Sequence, residues 1–247
     1  MMSNIITQTL SYTDSQGVTL QSHFCYPSDA TQAVPAVLVA PEWWGLSEHA
    51  KHSAERLAAA GYAALAMDLY GNALLTDNGS IANDNMMYLL NHPEVLAERT
   101  HLAREALQAQ AQVNRHQMAA IGFCFGGKVV LDMARRGEAL QAVCSFHGNL
   151  SPAQAAQAGV IQAEILVEHG ELDTLTTLDD VAAFRAEMDN AGVRYHIDIF
   201  PQAKHGFTNP QATANGQKNG VDFLDYHPEA AETAWQNMLN LLAKTFA

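Results

Sequence analysis

The 247-residue chain is 48% hydrophobic and only 16% charged, the makeup of a globular protein long enough to bury one large core without disulfide staples. A net charge of -13 argues against a nucleic-acid partner, which needs clustered Lys and Arg, and it repels rather than steers anionic substrates. Three cysteines with no CxxC pair, Cys25, Cys124 and Cys144, fit a reducing compartment better than a disulfide framework.

The first residues, Met1-Met2-Ser3-Asn4, lack a basic stretch followed by an apolar core, so no signal peptide is read there. No apolar run approaches the ~18 residues of a membrane span. The expectation is a cytoplasmic protein. Residues 5–12 and 18–26 read as strands joined by an Asp14-Ser15-Gln16-Gly17 turn, an N-terminal β-hairpin. Short apolar runs then recur at 34–40, 63–68, 118–123, 142–146, 163–168 and 195–200. Helical patterns separate most of them, at 48–60, 94–113, 126–136, 178–191 and 228–245. Continuous apolar strands alternating with helices predict a single α/β domain over 1–247, built on a mostly parallel, doubly wound sheet. Two long segments, 69–92 and 206–227, read as irregular. The first follows a strand end, where such folds place their active sites, and is a candidate lid or cap.

The segment Ile121-Gly122-Phe123-Cys124-Phe125-Gly126-Gly127 lies between a predicted strand and a predicted helix. It matches the nucleophile elbow G-x-S-x-G with sulfur in place of oxygen. The turn is so sharp that residues two before and two after the nucleophile crowd its backbone, which only glycine relieves. The helix N-terminus beyond favours a thiolate. Read alone, the same pattern also fits a buried structural cysteine between packing glycines, and less well a dinucleotide loop. The chain order favours the elbow. An α/β-hydrolase runs nucleophile, acid, histidine, and here Asp173 follows one strand and His205 the next. Phe125, directly after the nucleophile, and Trp43, in the loop after the 34–40 strand, are the expected oxyanion donors.

These segments resemble the dienelactone hydrolase family. Gly122-Phe123-Cys124-Phe125-Gly126-Gly127 is similar to its G-x-C-x-G-G elbow, and Pro41-Glu42-Trp43-Trp44-Gly45-Leu46 to its first-loop glutamate. Gly170-Glu171-Leu172-Asp173 and His205-Gly206-Phe207 are similar to its acid and histidine segments, so the likeness spans nearly the whole chain. The resemblance implies an α/β-hydrolase fold with no cofactor, acting on a small-molecule ester or lactone. It also implies that Glu42 helps turn the resting thiol of Cys124 into a thiolate when substrate binds. Read from the residue alone, the lesser alternative for Glu42 is a helix-terminus acid on a solvated rim. The family's founding activity grips a carboxylate with two arginines, one from the cap and one four residues after the histidine. In this chain the latter position is Asn209, and 69–98 contains no Arg or Lys, which puts dienelactone itself in doubt.

His147 falls at a strand end as a second donor, a substrate contact or a structural rim histidine. His49 and His52 are one helical turn apart and read as surface histidines rather than metal ligands, so no metal is expected. Cys25 and Cys144 read as small buried apolar residues. Trp43, Trp44 and 86–90 either wall a pocket or belong to helix core. The expectation is a cysteine-dependent hydrolase of an ester, lactone or thioester, a monomer or homodimer, using Cys124, His205 and Asp173. The rival is a redox-active or ligand-binding protein on the same fold, with Cys124 as a sensor thiol.

Overall fold

The computed structural model describes residues 4–247. Met1, Met2 and Ser3, on which the reading of the N-terminus mostly rests, lie outside the described residues. The strands run in the order β1-β2-β4-β3-β5-β6-β7-β8 in a mostly parallel sheet of the α/β-hydrolase type. The chain forms two compact units, 1–120 and 121–247.

In the first unit, β1 (Ile5–Thr13) and β2 (Thr19–Pro27) form the expected antiparallel hairpin. Asp14 closes it by accepting hydrogen bonds from the Gln16 and Val18 amides, at 3.0 and 2.8 Å. β3 (Val34–Ala40), α1 (Glu48–Ala59) and β4 (Ala63–Ala66) make a crossover unit whose two strands pair in parallel. Both strands are almost wholly buried, the reason their sequences are unbroken apolar runs. Ser47 caps α1 by accepting from the Ala50 amide.

The segment 69–92 departs from the irregular coil expected. Only its first part is a loop, and α2 (Gly79–Asn91) follows before α3 (Pro93–Gln108). The sequence hides α2 because Gly79, Asn83, Asn85 and Asn91 are poor helix formers. Asn78 nevertheless caps it through the Ser80 and Ile81 amides, and Ala82 and Leu89 are buried. Within the run 86–90, Leu89 is core but Met87 and Tyr88 are exposed. The loop at 69–77 is pinned rather than loose. Asp68 accepts from the amides of Gln21, Tyr70, Gly71 and Ala73 at 2.7–3.1 Å. The buried Arg99 guanidinium pairs with Asp14 and donates to the Leu69 and Tyr70 carbonyls.

β5 (Val113–Phe123) starts five residues before the apolar run that marks it, because its first half is polar and partly exposed. The second unit takes its last three residues and continues through α4 (Phe125–Arg135), β6 (Ala142–Phe146), β7 (Glu164–Gly170), α5 (Leu178–Ala191) and β8 (Tyr195–Phe200). β6, β7 and β8 pair in parallel. A capping box between Thr177 and Asp180 starts α5, and Gly192 in the left-handed conformation ends it. The expected irregular stretch 206–227 contains α6 (Ala212–Asn219), masked in sequence by Asn215, Gly216 and Asn219. α7 (Pro228–Thr245) closes the chain and packs on β6 and β7. Among the described residues, no helix is long and apolar enough to cross a membrane.

Candidate active site

Cys124 sits between the end of β5 and the first residue of α4, with φ 54° and ψ -115°. That left-handed backbone is strained for any side chain and persists only where the surroundings impose it. Here they do. The Cys124 amide donates to the Phe146 carbonyl at 3.0 Å, and its own carbonyl accepts from Gly127 and Lys128. A Cβ on Gly122 would lie 2.1 Å from the Gly126 carbonyl oxygen, so the turn requires glycine there. The result is a half-exposed thiol at the N-terminus of a helix. The other two thiols differ in kind. Cys25 and Cys144 lie buried in strands, and burial pushes Cys25 up to about 12 and Cys144 well above the usual thiol range.

Asp173 and His205 meet through a main-chain seam. The Leu172 amide donates to the Ala203 carbonyl at 2.9 Å and Glu171 to Phe200 at 3.0 Å. A Cβ on Gly170 would lie 2.5 Å from the Ala203 carbonyl oxygen, so the acid loop and the histidine loop touch backbone to backbone. Across that seam Asp173 Oδ2 is 2.7 Å from Nδ1 of His205, while Oδ1 accepts from the Leu175 and Thr176 amides at 2.9 and 3.0 Å. Burial raises the Asp173 carboxyl, but the hydrogen bond and charge of His205 and the two amides outweigh it and hold it low. These bonds fix the Nδ1–H tautomer and aim Nε2 away from the acid.

Burial by itself would lower the His205 imidazole. Cys124 beside it and the Asp173 hydrogen bond reverse that, and the ring is pushed up to about 10. Its Nε2 is sealed from solvent, and Cys124 beside it acts on the ring through both charge and hydrogen bonding. The structure therefore gathers Cys124, Asp173 and His205 in the second unit, with Phe125 as the first residue of α4.

His147 is wholly buried and packs edge-on against His205, with ring centroids 5.2 Å apart. Asn209 is buried too, and its Oδ1 accepts from the Gln211 amide at 2.8 Å, which commits that oxygen to the turn before α6. Lys204, four residues beyond Phe200, donates to the Asp222 carbonyl at 2.9 Å. His169 escaped sequence reasoning. It is buried on β7, and neither ring nitrogen has a hydrogen-bond partner. Burial lowers its imidazole more than the nearby Asp173 raises it, so it stays neutral. The signal was a histidine inside an apolar strand, four residues before the acid.

The first unit holds the remaining candidates. Glu42 is buried rather than on a solvated rim, and its carboxylate is 3.5 Å from Nδ1 of His49. His49 is thus half-buried and paired, not a plain surface residue as expected, whereas His52 is exposed. The Trp43 and Trp44 rings pack 4.6 Å apart at a tilt of 54°, and the Trp43 carbonyl accepts from the Tyr70 hydroxyl. Gly45, at φ +88°, has room for no Cβ against the Leu74 carbonyl, so this loop and the 70–76 loop are locked together.

The profile of the dienelactone hydrolase family matches residues 22–246. A crystal structure described as a dienelactone hydrolase-like promiscuous phosphotriesterase, P91, from metagenomic libraries is 34% identical. It superposes with a TM-score of 0.92 over 98% of this chain and 99% of that one. A second structure, named m3DLH, is 33% identical at the same TM-score, covering 98% of this chain and 99% of its own. An Escherichia coli O157:H7 protein named "Putative carboxymethylenebutenolidase" is 27% identical over 239 residues, 91% of this chain and 82% of that protein. The chain belongs to the dienelactone hydrolase family and is a hydrolase of ester or lactone bonds.

Proposed function

We propose that the protein hydrolyses neutral carboxylic esters or lactones through an acyl-cysteine intermediate on Cys124. The observation that carries this reading is the His205 ring, bonded to Asp173 at 2.7 Å on one side and electrostatically coupled to Cys124 on the other. Cys124 Sγ attacks the carbonyl carbon, forming the S–C bond. The oxyanion is held by the Phe125 amide and, as its place in the loop after the 34–40 strand suggests, the Trp43 amide. His205 gives its proton to the departing alkoxide oxygen. It then takes a proton from water, whose oxygen attacks the thioester and releases the acid and the thiolate. Asp173 keeps the imidazole in one tautomer and stabilises its charged form. Glu42, by the same resemblance, assists formation of the thiolate.

The sensor reading is disfavoured because Cys25 and Cys144 are both buried, protonated thiols, poor partners for resolving an oxidised Cys124. A short-chain aryl ester should leave a single acyl mass on Cys124 under single-turnover conditions. Glu42→Gln should slow that step and alter its pH profile more than it weakens binding. No adduct with a turned-over ester would end the covalent mechanism, and an unchanged acylation rate would remove Glu42 from it. A neutral phosphotriester is a second substrate class, favoured by the likeness to P91. Attack at phosphorus would leave a phosphoryl mass on the same sulfur.

Substrate charge follows from residues already placed. A carboxylate entering a partly dry site needs a paired cation, because an unpaired buried charge costs several kcal/mol. Asn209 stands where the family's second arginine is expected, and the Lys204 ammonium is engaged by Asp222. Neutral esters should therefore exceed size-matched carboxylate analogues at least ~10-fold in kcat/KM, compared at moderate salt to screen long-range repulsion. Consistently better anionic substrates would reveal a cation that this reading lacks.

A further inference from the structure

His147 is wholly buried between Phe123, His205 and Phe207. Its backbone is at φ 40°, left-handed for a bulky residue, and only strong surroundings hold a side chain there. Those surroundings are specific. Its amide donates to the Glu168 carbonyl at 2.8 Å, and Nε2 is 2.8 Å from the Thr208 hydroxyl. The next residue, Gly148, lies so close to Gly127 of the elbow that a Cβ on either glycine would come within 2.8 Å of the other's Cα. The preceding carbonyl, of Phe146, takes the Cys124 amide. One dipeptide therefore touches both reacting groups. Phe146 holds the nucleophile's backbone, and His147 holds its ring edge-on at 5.2 Å to His205 and at 5.4 Å to Phe207.

We propose that His147 is a positioning residue that fixes the His205 ring against Cys124, acting through its edge contact and its hydrogen bond to Thr208. This rests on the proposed roles of Cys124 and His205. Thr208 lies three residues past His205 on the same loop, so the hydrogen bond anchors the loop from behind while the ring contact anchors the imidazole itself. Asp173 fixes Nδ1 but does not by itself stop the ring from rocking about that bond. The His147 edge, nearer at 5.2 Å than that of Phe223 at 6.2 Å, limits that motion and sets where Nε2 points. A misplacement of ~1 Å between reacting groups can cost on the order of 10²-fold in rate.

The test compares His147→Ala, His147→Phe and Thr208→Val, each checked for folding by thermal melting. His147→Ala should lower kcat ~10–100-fold and leave KM within about threefold. His147→Phe keeps an aromatic edge and loses the hydrogen bond, so it should recover part of the loss. Thr208→Val, which removes the bond from the other side, should match it, and the double variant should be no worse than either. Independently of turnover, the NMR signal of the His205 Nδ1 proton should broaden in His147→Ala and sharpen again in His147→Phe. A rise in KM with unchanged kcat would make His147 a substrate contact. Wild-type kcat in a folded His147→Ala protein, or an unaltered His205 signal, would also overturn the proposal. If His147→Ala does not fold, His147→Phe and Thr208→Val decide by the same kcat and NMR readouts. Failure of the underlying mechanism reads differently, as an absent acyl mass on wild-type Cys124.

Discussion

Replacing Cys124 with alanine should lower kcat for any good ester substrate by at least ~10³-fold, as deletion of a nucleophile does in triad enzymes. The substitution is well suited to the purpose. Alanine has the same Cβ as cysteine, so the strained φ of 54° costs both residues alike, and no helix-capping bond is lost at the elbow. Melting temperature should stay close to wild type, which separates chemistry from folding. Steady-state kinetics with an aryl ester measure the loss. Activity within tenfold of wild type would mean that the sulfur is a bystander and that His205 activates water directly.

The second large effect concerns stability and lies on the opposite side of β7 from His169. Glu168 is fully buried, and both carboxyl oxygens are sealed from solvent. Burial raises its carboxyl, and the charge of Asp198, its register partner on β8, raises it further, to about 9. Hydrogen bonding from Asn237, whose Nδ2 also donates to Asp198 at 3.2 Å, offsets only part of this. The side chain is therefore a neutral acid at pH 7, while in the unfolded chain it ionises near its usual value. Between about pH 4.5 and pH 9 the folded state binds one proton more than the unfolded state. Stability must fall as pH rises through that window, by at most ~1.4 kcal/mol per unit from this group, and level off above it. Glu168→Gln should remove this slope and be more stable than wild type at pH 9, by on the order of a few kcal/mol. The gain should shrink to nothing or reverse near pH 4.5. Denaturant midpoints across the range test it, and parallel curves for the two proteins would show that water or a relaxed side chain satisfies the carboxylate.

Legibility from sequence followed burial. β3, β6 and β8 and the helices α5 and α7 are visible to the residue, because their strands are apolar runs or their caps are explicit, as at Thr177 and Gly192. The elbow is legible for a related reason, since its glycines answer a steric need that local sequence must meet. What stayed hidden depends on partners distant in sequence. α2 and α6 are built from poor helix formers and exist because caps and packing override propensity. The first half of β5 is polar and partly exposed, so no apolar run announces it. Sequence left a solvated-rim alternative open for Glu42, which its burial beside His49 removes. Glu168 and His169 are adjacent on one strand and face opposite ways, so no linear pattern could tell that one is a neutral acid and the other a neutral base.

The seams between the loops carrying Cys124, Asp173 and His205 have a consequence for how such an enzyme changes over time. Gly170 against Ala203, Gly127 against Gly148 and Gly122 against Gly126 are contacts of main chain on main chain. Besides main chain they contain one side chain, the buried Ser145, whose Oγ would meet a Cβ on either Gly127 or Gly148. The backbone frame that sets the distances among the reacting atoms is thus decoupled from the exposed side chains around it. Leu172, Leu175 and Leu178, which flank Asp173 and face solvent, can be exchanged without touching that frame. A lineage built this way can sample new substrates by trading surface side chains one at a time, keeping its chemistry intact while its clientele drifts.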